Sequence, residues 1–291
     1  MPIEEIQTES LNQFWEMLSP VSDFVSENGR ALFRGQGDSF WPLTSAVLRE
    51  DIINKYSARI MPHSQTDQII FFEYFTLLDF VSYCDHMGYA IPRDTEEFRN
   101  IIDFDNFTDR YSINGAGWPS KEFYPVLALA QHHGIPTRLL DWTRNSWVGA
   151  YFAASQALNQ KQPSDSLCVW VLDSNKLSLL NGRLEIVRLP GSTSHNLAAQ
   201  KGEFIVHKEV DGVNRHTPFD PSTYKNAVND ILESSDDFFT YKVTLPARLA
   251  GELMLRCNKF NINAATLFPG FDGAAKAALE FKLAKKQSGR L

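Results

Sequence analysis

Between Leu127 and Ser155 the chain reads LALAQHHGIPTRLLDWTRNSWVGAYFAAS, a run that sets two histidines, two arginines, an aspartate and two tryptophans among apolar residues. Polar and charged groups are costly in apolar surroundings unless each finds a partner. Such a segment therefore reads as a site more than as scaffold. About a hundred residues earlier, Leu32-Phe33-Arg34-Gly35-Gln36-Gly37 is an apolar run that ends on an arginine and two glycines. A guanidinium presents a planar fork of donors that matches phosphate, and glycine lets a ligand approach the backbone. The structural alternative is an Arg34 that pairs with an acid such as Asp38 or Asp141.

If residues 137–141 are extended, Thr137, Leu139 and Asp141 share one face, and Arg138 and Leu140 the other. Arg138 is then either a second phosphate ligand or one half of a buried Arg–Asp pair that fixes the strand. Asp141 would orient an arginine or a histidine. Trp142 and Trp147 either wall an aromatic pocket or pack helices together. His132 and His133 close a helix, where the dipole favours imidazole. No cysteine or carboxylate cluster at matching spacing joins them, so no metal is expected, and a hydrogen-bonding role at the mouth of the site fits better. In Gln200-Lys201-Gly202-Glu203-Phe204-Ile205-Val206 a polar turn runs into an apolar strand with Glu203 at its start. A carboxylate facing a pocket there would hold a ribose hydroxyl and stabilise a cationic transition state. A solvated edge glutamate is the alternative. A serine-hydrolase elbow, a P-loop and a G-x-G-x-x-G fingerprint are absent.

The elements that must hold these groups follow from periodicity. Leu11, Phe14, Leu18, Val21 and Val25 have helix spacing behind Ser10 as a cap. Residues 44–60 and 66–87 read as helices, the second stopped by Gly88. The stretch 92–119 is polar, aromatic and glycine-containing, and reads as a loop insertion. Helices are expected over 122–132, 145–158, 247–260 and 270–285, and a helix-like stretch up to Ala199. Strands are expected over 31–34, 137–141, 167–173, 186–189, 203–207 and 238–245, and a short strand or turn over 264–268. Helices dominate the first half, and strands mix with helices in the second, so the fold class is α+β with a small mixed or antiparallel sheet.

With 291 residues, 43% of them hydrophobic, the chain can bury a sizeable core. A formal net charge of −7 argues against a broad basic face for nucleic acid. The apolar runs are too short for a membrane span. MPIEEIQTES lacks the basic and apolar regions of a signal peptide, so a cytoplasmic location without membrane contact is expected. Cys84, Cys168 and Cys257 are too sparse for a disulfide framework and read as reduced core thiols. No internal repeat or low-complexity segment is found.

Together these residues resemble the FRG domain family, whose Phe-Arg-Gly motif is Phe33-Arg34-Gly35 here. The match continues through RGQGDSFWPLTSAVLR, AQHHGIPTRLLDWTRNSWVGAYFAA, CVWVLD, AQKGEF and LFPGFDG. The resemblance implies one FRG domain over residues 1–291, with a helical extension at 1–29, a core at 30–285 and the insertion at 92–119. The order of blocks is similar to that of ADP-ribosyltransferases. It implies that fold, with a helical N-terminal half, and NAD as co-substrate. It assigns Arg34, with Gly35 and Gln36, to the NAD pyrophosphate or ribose. Thr137 and Arg138 fall on the nicotinamide side, and Tyr151 or Phe152 stacks on the ring. Glu203 stabilises the oxocarbenium-like ribose, with Gln200 as the alternative working residue. The implied function is an intracellular effector or toxin of bacterial toxin–antitoxin or phage-defence systems. It would act on a protein or nucleic acid and be neutralised by an antitoxin protein. The alternative is a non-catalytic module that senses a nucleotide or a phage component. A nuclease-like phosphate-ester enzyme is disfavoured because no metal-binding carboxylate cluster is seen.

Overall fold

The computed structural model describes residues 3–27, 30–56, 65–111, 117–180, 182–191, 195–208, 226–234 and 239–290. In chain order the elements are β1 (Ile3–Gln7), α1 (Leu11–Met17), α2 (Asp23–Glu27), β2 (Ala31–Gln36), α3 (Glu50–Tyr56), α4 (Gln65–His86), α5 (Glu96–Ile102), α6 (Phe104–Tyr111) and α7 (Tyr124–His132). They continue with β3 (Leu139–Thr143), α8 (Ser146–Asn159), β4 (Ser166–Asp173), β5 (Leu184–Val187), α9 (His195–Ala199), β6 (Gly202–His207), α10 (Ala227–Glu233), β7 (Thr240–Pro246), α11 (Ala250–Lys259), α12 (Ala264–Leu267) and α13 (Phe271–Gln287). The class is α+β, as the periodicity predicts. The sheet is larger than expected, with seven strands in the order β1-β7-β4-β2-β3-β6-β5. Among the described residues only β1 and β7 run parallel, and every other pair is antiparallel.

Several expectations need correction. Residues 1–29 are not purely helical, because β1 opens the described chain and pairs with β7 through Ile3↔Thr240 to Gln7↔Thr244. Its sequence IEEIQ has no apolar alternation on which a strand could be recognised; the pairing comes from β7. The helix behind Ser10 stops at Met17, near Pro20, whose ring cannot continue a helix. Ser10 does cap it, in a capping box with Gln13. Residues 44–56 hold a short 3-10 turn and α3 in place of one helix, and 57–60 lie outside the described residues. The 92–119 stretch is not a loop: Thr95 caps α5, α6 follows at once, and Phe98, Ile102, Phe107 and Tyr111 are buried. Its polar letters fall on the outer faces of two short helices, which a composition argument reads as loop. Residues 112–116 of that stretch lie outside the described residues. Residues 264–267 form helix, capped by Asn263, not strand.

Three apolar clusters flank the sheet. On one face α8 lies against β2 and β4, backed by α1, α11 and α13. Gly149, Ala150, Ala153 and Ala154 carry little side chain on the buried side of α8, so the helix closes tightly on the strand. A Cβ at Gly35 would collide with the Gly149 carbonyl, and one at Gly37 with the backbone of Ala157. These glycines therefore seat a helix, a different use from opening the backbone to a ligand. Helices α4–α7 pack over β3 and β6 through Tyr74, Phe107, Trp118, Phe123, Leu139 and Phe204. The opposite face of the sheet holds Leu32, Leu140, Trp142, Trp170 and Ile205 against α10. The three cysteines are free and buried; burial pushes the thiols of Cys168 and Cys257 up to about 12, so both stay protonated.

Candidate functional site

The sheet is split between β2 and β3. The two strands share a single register pair, Phe33↔Thr143. Continued pairing would bring Arg34 opposite Trp142 and Gly35 opposite Asp141. Instead the strands diverge, and all four residues line a cavity of about 390 Å³. Across the gap Arg34 Nη1 donates to the Asp141 carbonyl oxygen at 2.7 Å. The side chain thus supplies a bond that the separated backbones no longer make. Asp38, the other candidate partner, accepts from the Phe40 amide instead. Gly35, Phe152 and Phe268 wall the cavity beside α8, while Gln131, His132, Asn196 and Gln200 bring polar atoms to it.

A second cavity of about 680 Å³ adjoins the first and shares Arg34, Arg49, Gln131 and Asp141 with it. Its outer wall carries Ile52, Tyr56, Phe72 and Phe75. The two cavities meet at Arg34 and Arg49; aromatic side chains stand in each, Phe152 and Phe268 among polar residues in the first and Tyr56, Phe72 and Phe75 in the second. Both volumes fall within the range of about 300–1,000 Å³ usual for ligand sites. Arg34 is half-buried and Asp141 exposed at the waist, with protein atoms crowding both side chains. Burial lowers the Arg34 guanidinium below its ordinary value; Asp141 opposes that shift and Arg49 adds to it. Burial raises the Asp141 carboxyl, against Arg34 and the Gln131 hydrogen bond. Burial, with a smaller effect of His133, lowers His132, so its imidazole is neutral at pH 7.

The other expected residues are placed as follows. Arg138 is fully buried and paired with Glu73, which is also buried. Glu73 accepts from Arg138 Nε at 2.5 Å and the Arg138 amide at 2.9 Å through its two oxygens, and from Trp118 Nε1 at 2.7 Å. This is the buried-pair alternative for Arg138, with Glu73 in place of Asp141 as the acid. Thr137 is buried behind the cleft; its hydroxyl donates to Gln131 Oε1, and Gln131 Nε2 donates to Asp141 Oδ1 at 2.9 Å. Gln36 shares Arg34's face of β2 but turns toward β4, where its Oε1 accepts from Trp170 Nε1 at 2.6 Å. Tyr151 is buried, with its hydroxyl on Glu280 at 2.8 Å; Phe152 does line the cleft. Trp147 packs on Trp15 and Phe260, whereas Trp142 borders the cavity and is buried in the apolar cluster on the α10 face of the sheet. Gln200 lines the cavity with its Nε2 on the Leu267 carbonyl.

Glu203 is not on the cavity wall. It is the second residue of β6, opposite Trp142, and is held by Arg144 Nε at 2.5 Å, Arg144 Nη2 at 2.9 Å and Arg188 Nε at 3.3 Å. Arg34, Gly35, Phe152 and Gln200 are therefore brought together. Gln36, Thr137, Arg138, Tyr151 and Glu203 are not. Arg49, Gln156, Asn196 and Phe268 join the site without having been singled out. Arg49 had one signal: like Arg34, it ends an apolar run, Ala46-Val47-Leu48. The bond from the Val47 amide to the Thr137 carbonyl, 3.2 Å, holds that run beside β3. Among the described residues no group of histidines, cysteines and carboxylates could hold a metal ion, and no helix is long and apolar enough to cross a membrane.

The sequence model of the FRG domain matches residues 29–162, a span that holds Arg34, Arg49, Gln131, Asp141 and Phe152 but ends before Gln200 and Glu203. No curated protein and no solved structure matches the chain.

Proposed function

From the FRG domain that the chain carries at residues 29–162, we propose that its split-sheet cleft binds a dinucleotide of the NAD class. The observation that carries this reading is the two-lobed shape with Arg34 and Arg49 at the waist. A dinucleotide is two ring systems joined by a pyrophosphate. Guanidinium groups suit the pyrophosphate, and aromatic walls suit the rings. Phe152 and Phe268 flank one ring; Tyr56, Phe72 and Phe75 flank the other. His132, neutral at pH 7, offers a hydrogen bond at the rim. On this reading the chain is a nucleotide-sensing module.

A second reading, ADP-ribosyl transfer, is favoured by the position of β6, which flanks cleft strand β3 and sets Glu203 opposite Trp142. In that chemistry the C1′–nitrogen bond of the nicotinamide ribose breaks, nicotinamide leaves, and an acceptor nucleophile bonds to C1′. Glu203 would hold the ribose and offset its positive charge, after exchanging Arg144 and Arg188 for the substrate. In this reading the chain is a cytoplasmic effector of the toxin–antitoxin or phage-defence kind. Its acceptor is a protein or a nucleic acid, and its neutraliser an antitoxin protein.

Titration calorimetry of the whole chain with NAD tests the first reading, and nicotinamide release tests the second. Arg34→Ala is expected to weaken NAD binding roughly 10- to 100-fold, the worth of charge-assisted hydrogen bonds to a phosphate. Binding that survives Arg34→Ala and Arg49→Ala together would refute the cleft as the site. Nicotinamide release that stops in Glu203→Gln while NAD still binds would support transfer. Relief of toxicity on expression by Arg34→Ala would support the effector role.

A further inference from the structure

We infer that Asp141 is the ribose-reading residue of the cleft, its carboxylate accepting from the vicinal hydroxyls of an ADP moiety whose phosphates lie on Arg34 and Arg49. The inference rests on the nucleotide reading given above. Asp141 lines both lobes and stands beside both arginines. A carboxylate there repels phosphate, so its partner in a nucleotide must be a donor. The group next to the phosphate in any nucleotide is the sugar, whose 2′- and 3′-hydroxyls are paired donors. An ionised carboxylate offers about four acceptor positions. Gln131 Nε2 takes one, at 2.9 Å, and no other side chain donates to this carboxylate among the described residues. The remaining lone pairs face a cavity.

The carboxylate is also aimed. Thr137 Oγ1 donates to Gln131 Oε1, which leaves Gln131 Nε2 to point at Asp141. Thr137 itself is fully buried and accepts from the Leu139 amide at 3.2 Å. Gln131 sits on α7 and Asp141 on β3, so this relay ties the helix over the cleft to its floor. Thr137 and Gln131 are thus positioning residues, and Asp141 is the group that touches the ligand. Burial raises the carboxyl above its ordinary value, and Arg34 and the Gln131 hydrogen bond oppose that shift.

The test compares ADP, 2′-deoxy-ADP and inorganic pyrophosphate on the whole chain by titration calorimetry, with NAD as the reference. The wild-type chain is expected to bind ADP roughly tenfold more tightly than 2′-deoxy-ADP, the loss of one hydrogen bond to a charged acceptor. Asp141→Ala should bring that ratio close to one and tighten pyrophosphate about two- to fivefold, because a negative charge beside the arginines is gone. Thr137→Val should shrink the ratio while leaving pyrophosphate binding as it was, an effect that general loosening of the fold would not give. Equal affinity for ADP and its deoxy form in the wild-type chain, with NAD binding intact, overturns the inference. So does a ratio that Asp141→Ala leaves unchanged. If neither NAD nor ADP binds, the nucleotide reading of the cleft falls, and this inference falls with it.

Discussion

Arginine is used in two ways within one short stretch of structure, and environment decides which. Arg34 lines the cleft and donates to a main-chain carbonyl there. Arg138 is sealed in the core and spent on Glu73 and the His207 carbonyl. Sequence alone offers both roles for both residues, since each follows or precedes an apolar run. The choice depends on Glu73, which lies 65 positions from Arg138 in an otherwise apolar face of α4. A buried ion pair is costly to break from one side, because the surviving charge stays desolvated. Glu73→Ala is accordingly expected to lower stability by about 3–5 kcal/mol, read from denaturant unfolding. A loss below about 1 kcal/mol would mean that Arg138 finds another partner or water, against its buried placement.

At the scale of elements, the decisive contact is β2 against α8. Small residues on the helix and two glycines on the strand bring the backbones together. The packing also leaves Phe33 and Gly35 on the helix side and Arg34 facing away from α8, toward the split. Gly35→Ala puts a methyl group into the Gly149 carbonyl, where only backbone can move. Overpacking of this kind costs about 1–3 kcal/mol. The expected result is a lowered melting temperature together with weaker nucleotide binding, since β2 carries Arg34. Gly149→Ala meets the Phe33 Cβ at 3.2 Å and should cost less. Equal melting temperatures for Gly35→Ala and the parent chain would show that the strand and helix can separate freely. The expected helix boundaries at α4, α7, α8, α11 and α13 lie close to those observed, because each has periodic apolar residues and a clear stop such as Gly88 or Gly134 at positive φ. The 92–119 stretch was unreadable because α5 and α6 are short, with seven and eight residues, and bury aromatics at spacings too brief to show a period.

Across the whole molecule, burial of ionisable groups sets the response to pH. His207 ends β6 in the core, and burial, helped by Arg138 and Arg183, pushes it down to about 3. An unfolded histidine titrates near pH 6.5. Between these values the unfolded chain binds a proton that the folded chain refuses, so stability rises with pH and is lost as pH falls from about 6.5 toward 3. His207→Gln should flatten that dependence, measured as the denaturation midpoint at successive pH values; an unchanged slope would assign the acid sensitivity to other groups. The sheet itself is a long-range construction. Its central strand β2 pairs with β4 from Ala31↔Asp173 to Gln36↔Cys168, and β7, late in the chain, pairs with the edge strand β1 near its start.

Composition and periodicity were enough for the α+β class, most of the longer helices and the core thiols, and the Phe33-Arg34-Gly35 run drew attention to Arg34, which lines the cleft. These depend on local pattern, which a strand or helix carries within its own residues. Whether Thr137, Arg138, Tyr151 and Glu203 face a cleft or a partner was fixed only on folding. Their neighbours, namely Gln131, Glu73, Glu280 and the pair Arg144 and Arg188, come from different elements. The split between β2 and β3 is of the same kind: Phe33 of β2 packs in the α8 cluster while Leu139 of β3 packs in the cluster of α4 and α7, and the two strands keep a single register pair.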